Sequence, residues 1–209
     1  MRFLIIDDHP MVRDAFKQLL LHSYQDATVE EAANAREAMA LISHGPWEVI
    51  FLDIDLPDRS GLDLLRDLKN MVPEAPVLVV SGRREDEFGE RSLKAGAMGF
   101  IQKVSMREEI MTAIRRVRSG KKYISADLAS LLLENSLKPG YKSAHDALSA
   151  REFEVLRMLG EGRTVSEIAA VLNLSVQTVS TYRTRVLEKL GLQNTAGIIR
   201  YALQHGLEK

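Results

Sequence analysis

The sequence predicts an α/β domain with a doubly wound, five-stranded parallel sheet, followed by an all-α domain of four helices. Up to about residue 120, short apolar runs typical of strands alternate with helical patterns. Further on, the strand pattern stops and one helix cap follows another. Between these regions, Pro139 and Gly140 lie among polar residues, as in a flexible linker. We therefore predict domains at residues 1–120 and 148–209, joined by a linker at residues 121–147.

The five predicted strands are the runs RFLIID, ATVEEA, EVIFLD, PVLVVS and GFIQK. Between the first two, Val12, Phe16, Leu19 and Leu20 recur at helical spacing. Strand, helix and strand in this order form right-handed crossover units on a parallel sheet. Runs such as VIFL and VLVV are apolar throughout, as strands covered by helices on both faces require. We expect the common strand order 2-1-3-4-5, with ligands at the carboxyl ends of the strands.

The four helices of the second domain are predicted from their caps. Ser149 and Thr164 each precede a glutamate three residues later, which is the capping-box pattern. A third helix is expected after Ser175 and a fourth after Asn194, because Ser and Asn are preferred N-caps. The second and third helices are separated by only a short turn, so the sequence predicts a helix-turn-helix arrangement.

Composition fits a globular chain and excludes several classes. Of 209 residues, 45% are hydrophobic and 27% charged, and no apolar run approaches the roughly 18 residues of a membrane span. No signal peptide is visible, so we expect a soluble cytoplasmic protein with no membrane partner. The absence of Cys excludes disulfides and thiolate metal sites. Residues 141–209 hold nine Lys and Arg against seven Asp and Glu, and this net charge of +2 is too small to indicate nucleic-acid binding by itself.

Polar residues follow four of the predicted strands. They are Asp7 and Asp8 after the first, Asp53 after the third, Ser81 after the fourth and Lys103 after the fifth. Each alone has an ordinary explanation as a helix cap, a turn residue or a surface lysine. In the expected strand order, however, these strands are neighbours, so the side chains converge on one cleft. Three clustered carboxylates repel one another, and oxygen ligands favour a hard cation such as Mg²⁺.

This set of side chains suits phosphoryl transfer. Asp53 can attack phosphorus to form an aspartyl phosphate. Lys103 can then pair with the phosphoryl oxygens, and the Ser81 hydroxyl can donate a hydrogen bond to one of them. Every member of the cleft therefore has a task that follows from its charge.

The motifs IIDDHP, FLDIDLPDRSG, VLVVSG and GFIQK resemble, in order and spacing, those of a response-regulator receiver domain. The resemblance covers residues 1 to about 120 and implies a flavodoxin-like fold. It also implies that Asp8 and Asp53 supply carboxylate ligands to Mg²⁺, with Asp7 assisting directly or through water. The backbone carbonyl of Asp55 would complete the protein ligands.

The same resemblance makes Ser81 and Phe100 the switch residues, with plain core as the alternative for Phe100. Two further side chains, Asp55 and Arg83, lie two residues beyond Asp53 and Ser81. We hypothesise that they form an ion pair over the phosphoryl group and obstruct hydrolysis by water. A solvated pair that contributes little is the alternative.

Two other interpretations compete with the receiver domain, and sequence features argue against each of them. Phosphatases of the haloacid-dehalogenase type also carry an aspartate nucleophile with a second aspartate two residues on, as in DIDLP. In that family the strand with the two aspartates comes first and the acidic pair last, whereas here Asp7 and Asp8 precede Asp53. A phosphorylation-independent regulator would retain the acidic cleft only for folding. The joint presence of Asp53, Lys103 and the acidic pair argues against it.

In the third helix of the second domain, Val179, Val186 and Leu190 lie on one side, so a polar face with short side chains turns outward. Such a face fits a DNA groove, although an ordinary solvated face is the alternative. Arg185 and Lys189 are expected to contact phosphates, and Arg183 to do so only by extending its stem along the apolar side. The candidate DNA contacts are Gln177, Ser180, Thr181, Arg183, Thr184, Arg185 and Lys189.

The segment from LSAREFEV to LEKLG is similar throughout to the LuxR-type helix-turn-helix, a resemblance that extends from about Leu148 to Leu207. It implies that the third helix enters the major groove of double-stranded DNA. With so little net charge one copy should bind weakly, so a homodimer on adjacent half-sites is expected. The last helix, around Ile198, Ile199 and Tyr201, resembles the dimer surface of that family, or is domain core.

Together the two resemblances identify the chain with the NarL/FixJ class of bacterial response regulators. They imply that a sensor histidine kinase phosphorylates Asp53 and that a population shift in the receiver releases or dimerises the DNA-binding domain. Transcription would be the output. We expect no enzymatic activity beyond accepting a phosphoryl group and losing it again.

Overall fold

The computed structural model describes residues 1–82, 85–105, 107–136 and 144–207. It divides into two units, Met1–Pro139 and Gly140–Lys209. The first contains a parallel sheet with helices, and the second contains helices. The predicted fold class is therefore confirmed. Within the described ranges, every helix is too short or too polar to span a bilayer.

The sheet of the first unit has the predicted order. Its strands are β1 (Arg2–Ile6), β2 (Thr28–Ala32), β3 (Val49–Leu52), β4 (Val77–Ser81) and β5 (Gly99–Gln102). All pairs are parallel, in the order β2-β1-β3-β4-β5. Every residue of β3 and β4 is buried, as expected for strands covered on both faces. The carboxyl ends of β1, β3, β4 and β5 consequently share one edge.

Six α-helices lie in the described part of the first unit. They are α1 (Pro10–Ser23), α2 (Ala35–Leu41), α3 (Gly61–Met71), α4 (Glu85–Lys94), α5 (Arg107–Arg118) and α6 (Ala126–Ser136). Apolar residues of α1 and α5 form a core with one face of the sheet. Phe16 of α1 meets Phe51 of β3 with ring centroids 5.3 Å apart, and Ile114 of α5 is fully buried. This packing fixes the position of the sheet, and therefore of the strand ends, relative to α1 and α5.

The segment predicted as linker begins with ordered structure. Tyr123 N donates to Met98 O at 2.8 Å and extends the sheet beside Gly99. Helix α6 follows, packs against α4 and buries Leu128. The sequence indicated a short helical stretch here but not its burial, because the partner α4 ends more than 30 residues earlier in the chain. Residues 137–143 lie outside the described ranges, and the predicted domain bounds stay predictions.

The second unit contains α7 (Ala150–Gly160), α8 (Val165–Val171), α9 (Val176–Leu190) and α10 (Thr195–His205). Each predicted N-cap is present. Ser149 and Thr164 form complete capping boxes, and the side chains of Ser175 and Asn194 accept backbone hydrogen bonds from the first turns of α9 and α10. Buried apolar residues from all four helices form one core. The outer face of α9 is therefore held by packing on α7 and α8.

Candidate functional site

Strand pairing brings the predicted cleft residues together. Asp7 directly follows β1 and Asp53 directly follows β3, and their relative exposures are only 2% and 1%. The Asp53 N–H donates to Ile6 O, and the Lys103 N–H donates to Ser81 O, both at 2.8 Å. These bonds continue the ladders past the strand ends. The functional side chains are thus positioned by the sheet and not by free loops.

One ammonium group bridges the two buried carboxylates. Lys103 Nζ lies 2.7 Å from Asp53 Oδ2 and 2.8 Å from Asp7 Oδ2. Burial by itself would lower the pKa of Lys103, but the charges and hydrogen bonds of Asp53 and Asp7 outweigh it and raise the pKa. Lys103 is therefore cationic at neutral pH and available to an anionic group on Asp53.

The surroundings of the Asp53 carboxyl group disfavour its charged form. Burial raises its pKa from the ordinary 3.8 to about 6, and the negative charges of Asp7 and Asp55 add to the rise. Lys103 opposes the rise but does not cancel it. One cation therefore does not balance this group of carboxylates, and a second positive charge would be stabilised here.

This pKa predicts a pH dependence of stability in metal-free buffer. Between about pH 4 and 6 the unfolded chain has lost the Asp53 proton while the folded chain retains it, so stability falls as pH rises. The unfolding free energy of wild type, measured relative to that of Asp53→Asn, should fall by up to about 3 kcal/mol across this window. A pKa shift of one unit corresponds to about 1.4 kcal/mol. Urea unfolding followed by fluorescence of Trp47, the single tryptophan and buried in the first unit, measures it. A constant difference between the two proteins would contradict the shift.

A fourth residue, His9, joins the acidic side chains. Its Nδ1 lies 2.6 Å from Asp8 Oδ1, and its backbone N–H donates to Asp7 Oδ1 at 2.8 Å. Asp8 Oδ1 is buried, and among the described groups the His9 contact lacks the geometry of a regular hydrogen bond. One ligand atom from each of Asp7, Asp8, His9 and Asp53 can be chosen so that all lie within 4.8 Å of one another. This donor set fits a divalent cation.

The loop after β3 is tied back to the phosphoacceptor candidate. Asp53 Oδ1 accepts from the Asp55 N–H at 3.2 Å, and the backbones of Asp55 and Ser60 form an isolated antiparallel bridge. The Asp55 carbonyl, predicted to bind the cation, therefore belongs to a backbone segment fixed at both ends. Arg83, the predicted ion-pair partner of Asp55, lies outside the described residues, so the shielding hypothesis stays a prediction.

The two predicted switch residues are both in the interior. Ser81 ends β4 and Phe100 lies in β5, paired with Val79 in the strand register, and neither is exposed to solvent. The buried Phe100 ring fits both the core interpretation and the inward orientation of a switch aromatic. Ser81 lies at the same sheet edge as Asp53 and Lys103, as its proposed task requires.

The outward face of α9 carries most of the predicted DNA contacts. Gln177, Thr181, Thr184 and Arg185 are exposed, and Ser180 is half-buried. Two of the hydroxyls already donate to the helix backbone, Thr181 to Gln177 O at 3.0 Å and Thr184 to Ser180 O at 3.1 Å. These hydroxyls can therefore serve bases as acceptors without losing their own bonds. The face is polar and short-chained, as predicted.

Arg183 lies where the sequence placed it, closer to the apolar side. Its side chain is half-buried, and Nη1 donates a long hydrogen bond of 3.5 Å to Thr195 Oγ1. Its Nε is buried and has no hydrogen-bond partner among the described groups. This partial burial agrees with a stem that extends along the apolar side of the helix, and the phosphate contact stays a prediction.

Lys189, a predicted phosphate contact, has partners within the second unit. Its Nζ lies 2.6 Å from Glu152 Oε2 and 3.3 Å from Ala147 O, so its ammonium is engaged inside the second unit. Burial alone would raise the pKa of Glu152, but the bonds from Lys189 and the Ser149 backbone outweigh it and lower the pKa. Helical spacing could not reveal a buried acid, Glu152, on a neighbouring helix. Lys189 thus has a structural contact with Glu152, and its contact with DNA phosphates stays a prediction.

The α10 residues predicted to form a dimer surface differ in their burial. Ile198 is fully buried in the core of the second unit, whereas Ile199 and Tyr201 are only half-buried. Tyr201 Oη lies 3.0 Å from His145 Nδ1. For Ile198 the domain-core alternative is thus confirmed, and only the other two retain surface for a partner.

Two family models match the chain in the same order as the two units. The response regulator receiver domain matches residues 3–115, and the family of bacterial regulatory proteins called the luxR family matches residues 146–202. Response regulator GacA of Pseudomonas protegens is 34% identical over 206 residues, covering 99% of this chain and 97% of that protein. Response regulator UvrY of Escherichia coli is 29% identical over 205 residues, covering 98% and 94%.

Solved structures agree with these relatives. RcsB from Salmonella enterica serovar Typhimurium, bound to promoter P1flhDC in the presence of phosphomimetic BeF3-, is 25% identical with a TM-score of 0.61, over 96% of this chain and 97% of that one. A structure of two RcsB dimers bound to two parallel DNAs is 26% identical with a TM-score of 0.61, over 97% and 98%. Similarity thus extends over nearly the whole chain.

Proposed function

The chain belongs to the NarL/FixJ class of response regulators, with a receiver domain followed by a LuxR-family DNA-binding domain, and we propose that a sensor histidine kinase phosphorylates it on Asp53. One observation carries this proposal. Asp53 is a buried carboxylate at a strand end, 2.7 Å from the Lys103 ammonium and beside two further carboxylates. No ordinary structural role requires this arrangement, because it leaves the pKa of Asp53 raised.

In the proposed reaction a carboxylate oxygen of Asp53 attacks the phosphorus of a phosphohistidine on the kinase. A P–O bond forms, the P–N bond breaks, and its electron pair returns to the imidazole of the kinase. Lys103 then exchanges part of its contact with the Asp53 carboxylate for the phosphoryl oxygens. The Ser81 hydroxyl donates to one of these oxygens. The reaction ends with one phosphoryl group per chain, so we do not propose a multiple-turnover enzyme.

Mg²⁺ is the cation that we propose for this cleft. Asp8 and Asp53 would supply its carboxylate ligands, with Asp7 and the Asp55 carbonyl completing them. The close grouping of ligand atoms from Asp7, Asp8 and Asp53 supports this fit, because clustered carboxylates are stabilised by a shared cation. A bound ion would supply positive charge to the phosphoryl oxygens during transfer.

Mg²⁺ is expected to stabilise the first unit through Asp8. An ion that binds only the folded state at about 100 times its dissociation constant adds about 2.7 kcal/mol to the unfolding free energy. Asp8→Asn should lose most of this increment, whereas Asp14→Asn, exposed on α1, should retain it. Urea unfolding with and without Mg²⁺, followed by Trp47 fluorescence, measures the effect. Equal stabilisation of wild type and Asp8→Asn would refute the ligand assignment.

The output proposed for the second unit is DNA binding by α9. Its exposed polar face would lie in the major groove, and two copies would occupy adjacent half-sites because the net charge of residues 141–209 is only +2. The similar structure in which RcsB dimers are bound to DNA supports a dimeric complex with DNA. A regulator of chromosomal promoters works in the cytoplasm, and we propose that location.

Arg185 and Lys189 are expected to respond differently to the same substitution. Arg185→Gln should reduce the slope of log affinity against log salt by about 1, the value for one lost phosphate contact. Lys189→Gln should leave the slope unchanged but destabilise the second unit by about 1–2 kcal/mol, a partial loss because Lys189 is partly exposed. Salt titrations on a selected duplex and thermal melting by circular dichroism separate the two effects. A smaller slope of log affinity against log salt for Lys189→Gln would show that Lys189 contacts a phosphate, as predicted from the sequence.

The switch is tested with Mg²⁺ and acetyl phosphate, followed by intact mass and DNA binding. A lasting single phosphoryl adduct with tighter DNA binding would support the proposed function. Donor turnover without a lasting adduct would instead favour the phosphatase. Absence of reaction with undiminished DNA binding would favour the phosphorylation-independent regulator.

A further inference from the structure

His9 occupies a position that its place in the fold does not explain. It is the N-cap residue of α1, yet its side chain makes no capping hydrogen bond. Its side chain is 61% exposed, so solvation of the ring does not depend on the neighbouring carboxylates. Nevertheless Nδ1 points at the cleft, 2.6 Å from Asp8 Oδ1 and 3.2 Å from Asp7 Oδ1.

The neighbours of Nδ1 are those of a ligand atom. Besides the two carboxylates, Lys103 Nζ lies 3.4 Å away, at the limit of a hydrogen bond. Asp8 Oδ1 is buried, and this imidazole nitrogen is its close contact at 2.6 Å. With a proton on Nδ1 the two atoms attract each other directly, whereas with the proton on Nε2 both present lone pairs to the same space. A shared cation is the partner that satisfies both atoms in the second state.

We propose that His9 Nδ1 is a ligand of the cation, so that the cleft takes divalent transition-metal ions through one nitrogen and several carboxylate oxygens. This inference rests on the proposed cation site. Mg²⁺ favours oxygen ligands, whereas transition-metal ions also accept imidazole. With the proton on Nε2, at the exposed side of the ring, the Nδ1 lone pair is available to the metal. The consequence is selectivity: His9 favours transition-metal ions over Mg²⁺ at the phosphorylation site.

Mn²⁺ is the probe, because it accepts both ligand types and is paramagnetic. Pulsed electron paramagnetic resonance of the Mn²⁺-loaded full chain detects directly bound ¹⁴N. The nitrogen signal should be present in wild type and in His22→Ala, an exposed histidine of the same helix, and absent in His9→Ala. His9→Ala should also weaken Mn²⁺ binding by about tenfold, the size that even indirect metal partners contribute. Mg²⁺ affinity should change by less than about twofold.

The failures of the two proposals are distinguishable. If Mg²⁺ and Mn²⁺ bind and Asp8→Asn weakens both, but wild type shows no nitrogen signal or His9→Ala retains it, the role of His9 is overturned and the cation site stands. If neither ion binds to wild type, the proposed cation site itself fails, and the inference fails with it. Equal weakening of Mg²⁺ and Mn²⁺ by His9→Ala would overturn the selectivity.

Discussion

Asp53→Asn is expected to abolish the phosphoryl adduct that wild type forms with acetyl phosphate and Mg²⁺. An amide oxygen is a poor nucleophile. The amide nevertheless keeps the shape of the carboxyl group and an acceptor for the Lys103 ammonium, which lies 2.7 Å from Asp53 Oδ2 in wild type. The variant should therefore fold, and the loss should be chemical. Intact mass spectrometry after a fixed incubation gives the adduct fraction, and Trp47 fluorescence checks the fold of the same sample.

Asp55→Asn is the matched control, because it makes the same chemical change two residues along the same loop. In the proposed function Asp55 contributes its backbone carbonyl, so the variant should still form the adduct. In the phosphatase, Asp55 would be the acid and base partner, and donor turnover would fall in this variant. An adduct that persists in Asp53→Asn would place the phosphoacceptor elsewhere and contradict the function proposed for the cleft.

The strand-end residues could be found from sequence because two simple regularities apply to them. Apolar runs define where strands stop, and parallel strands end at a common edge, so Asp7, Asp53 and Lys103 had to converge once the strand order was right. The same holds for the caps of α7 to α10, which depend on residues three positions apart. Local spacing and one topological rule sufficed in both cases.

Contacts set by side-chain direction could not be predicted in this way. The sequence shows His9 beside Asp8, but only the backbone turn into α1 aims its ring at the cleft. Asp58 likewise accepts the N–H groups of Ala35 and Arg36 at the start of α2, more than twenty residues away along the chain. Lys189 is a similar case, since a phosphate contact was predicted for it and its contact with Glu152 was not. These contacts depend on tertiary packing, which periodicity does not encode.

Gly61→Ala is expected to have the largest effect on the stability of the first unit. Gly61 begins α3, and its N–H donates to Ile54 O at 2.8 Å, which closes the loop that starts at Asp53. A Cβ at this position would lie 2.1 Å from Asp53 O and 2.8 Å from Ile54 Cα. Both neighbours are backbone atoms, so neither can rotate away. The loop must separate from α3, at a cost of about 3 kcal/mol or more.

Gly82→Ala is the control, because a Cβ there meets nothing within 4 Å. It should change the unfolding free energy by less than about 1 kcal/mol. Urea unfolding by Trp47 fluorescence compares the two, and acetyl phosphate labelling shows whether Gly61→Ala also slows adduct formation. We expect it to do so, since the atom that the new methyl group displaces is the carbonyl oxygen of Asp53 itself. Normal stability and labelling in Gly61→Ala would mean that this loop does not hold Asp53, and the position of the phosphoacceptor would then depend on the strand ladder and Lys103 alone.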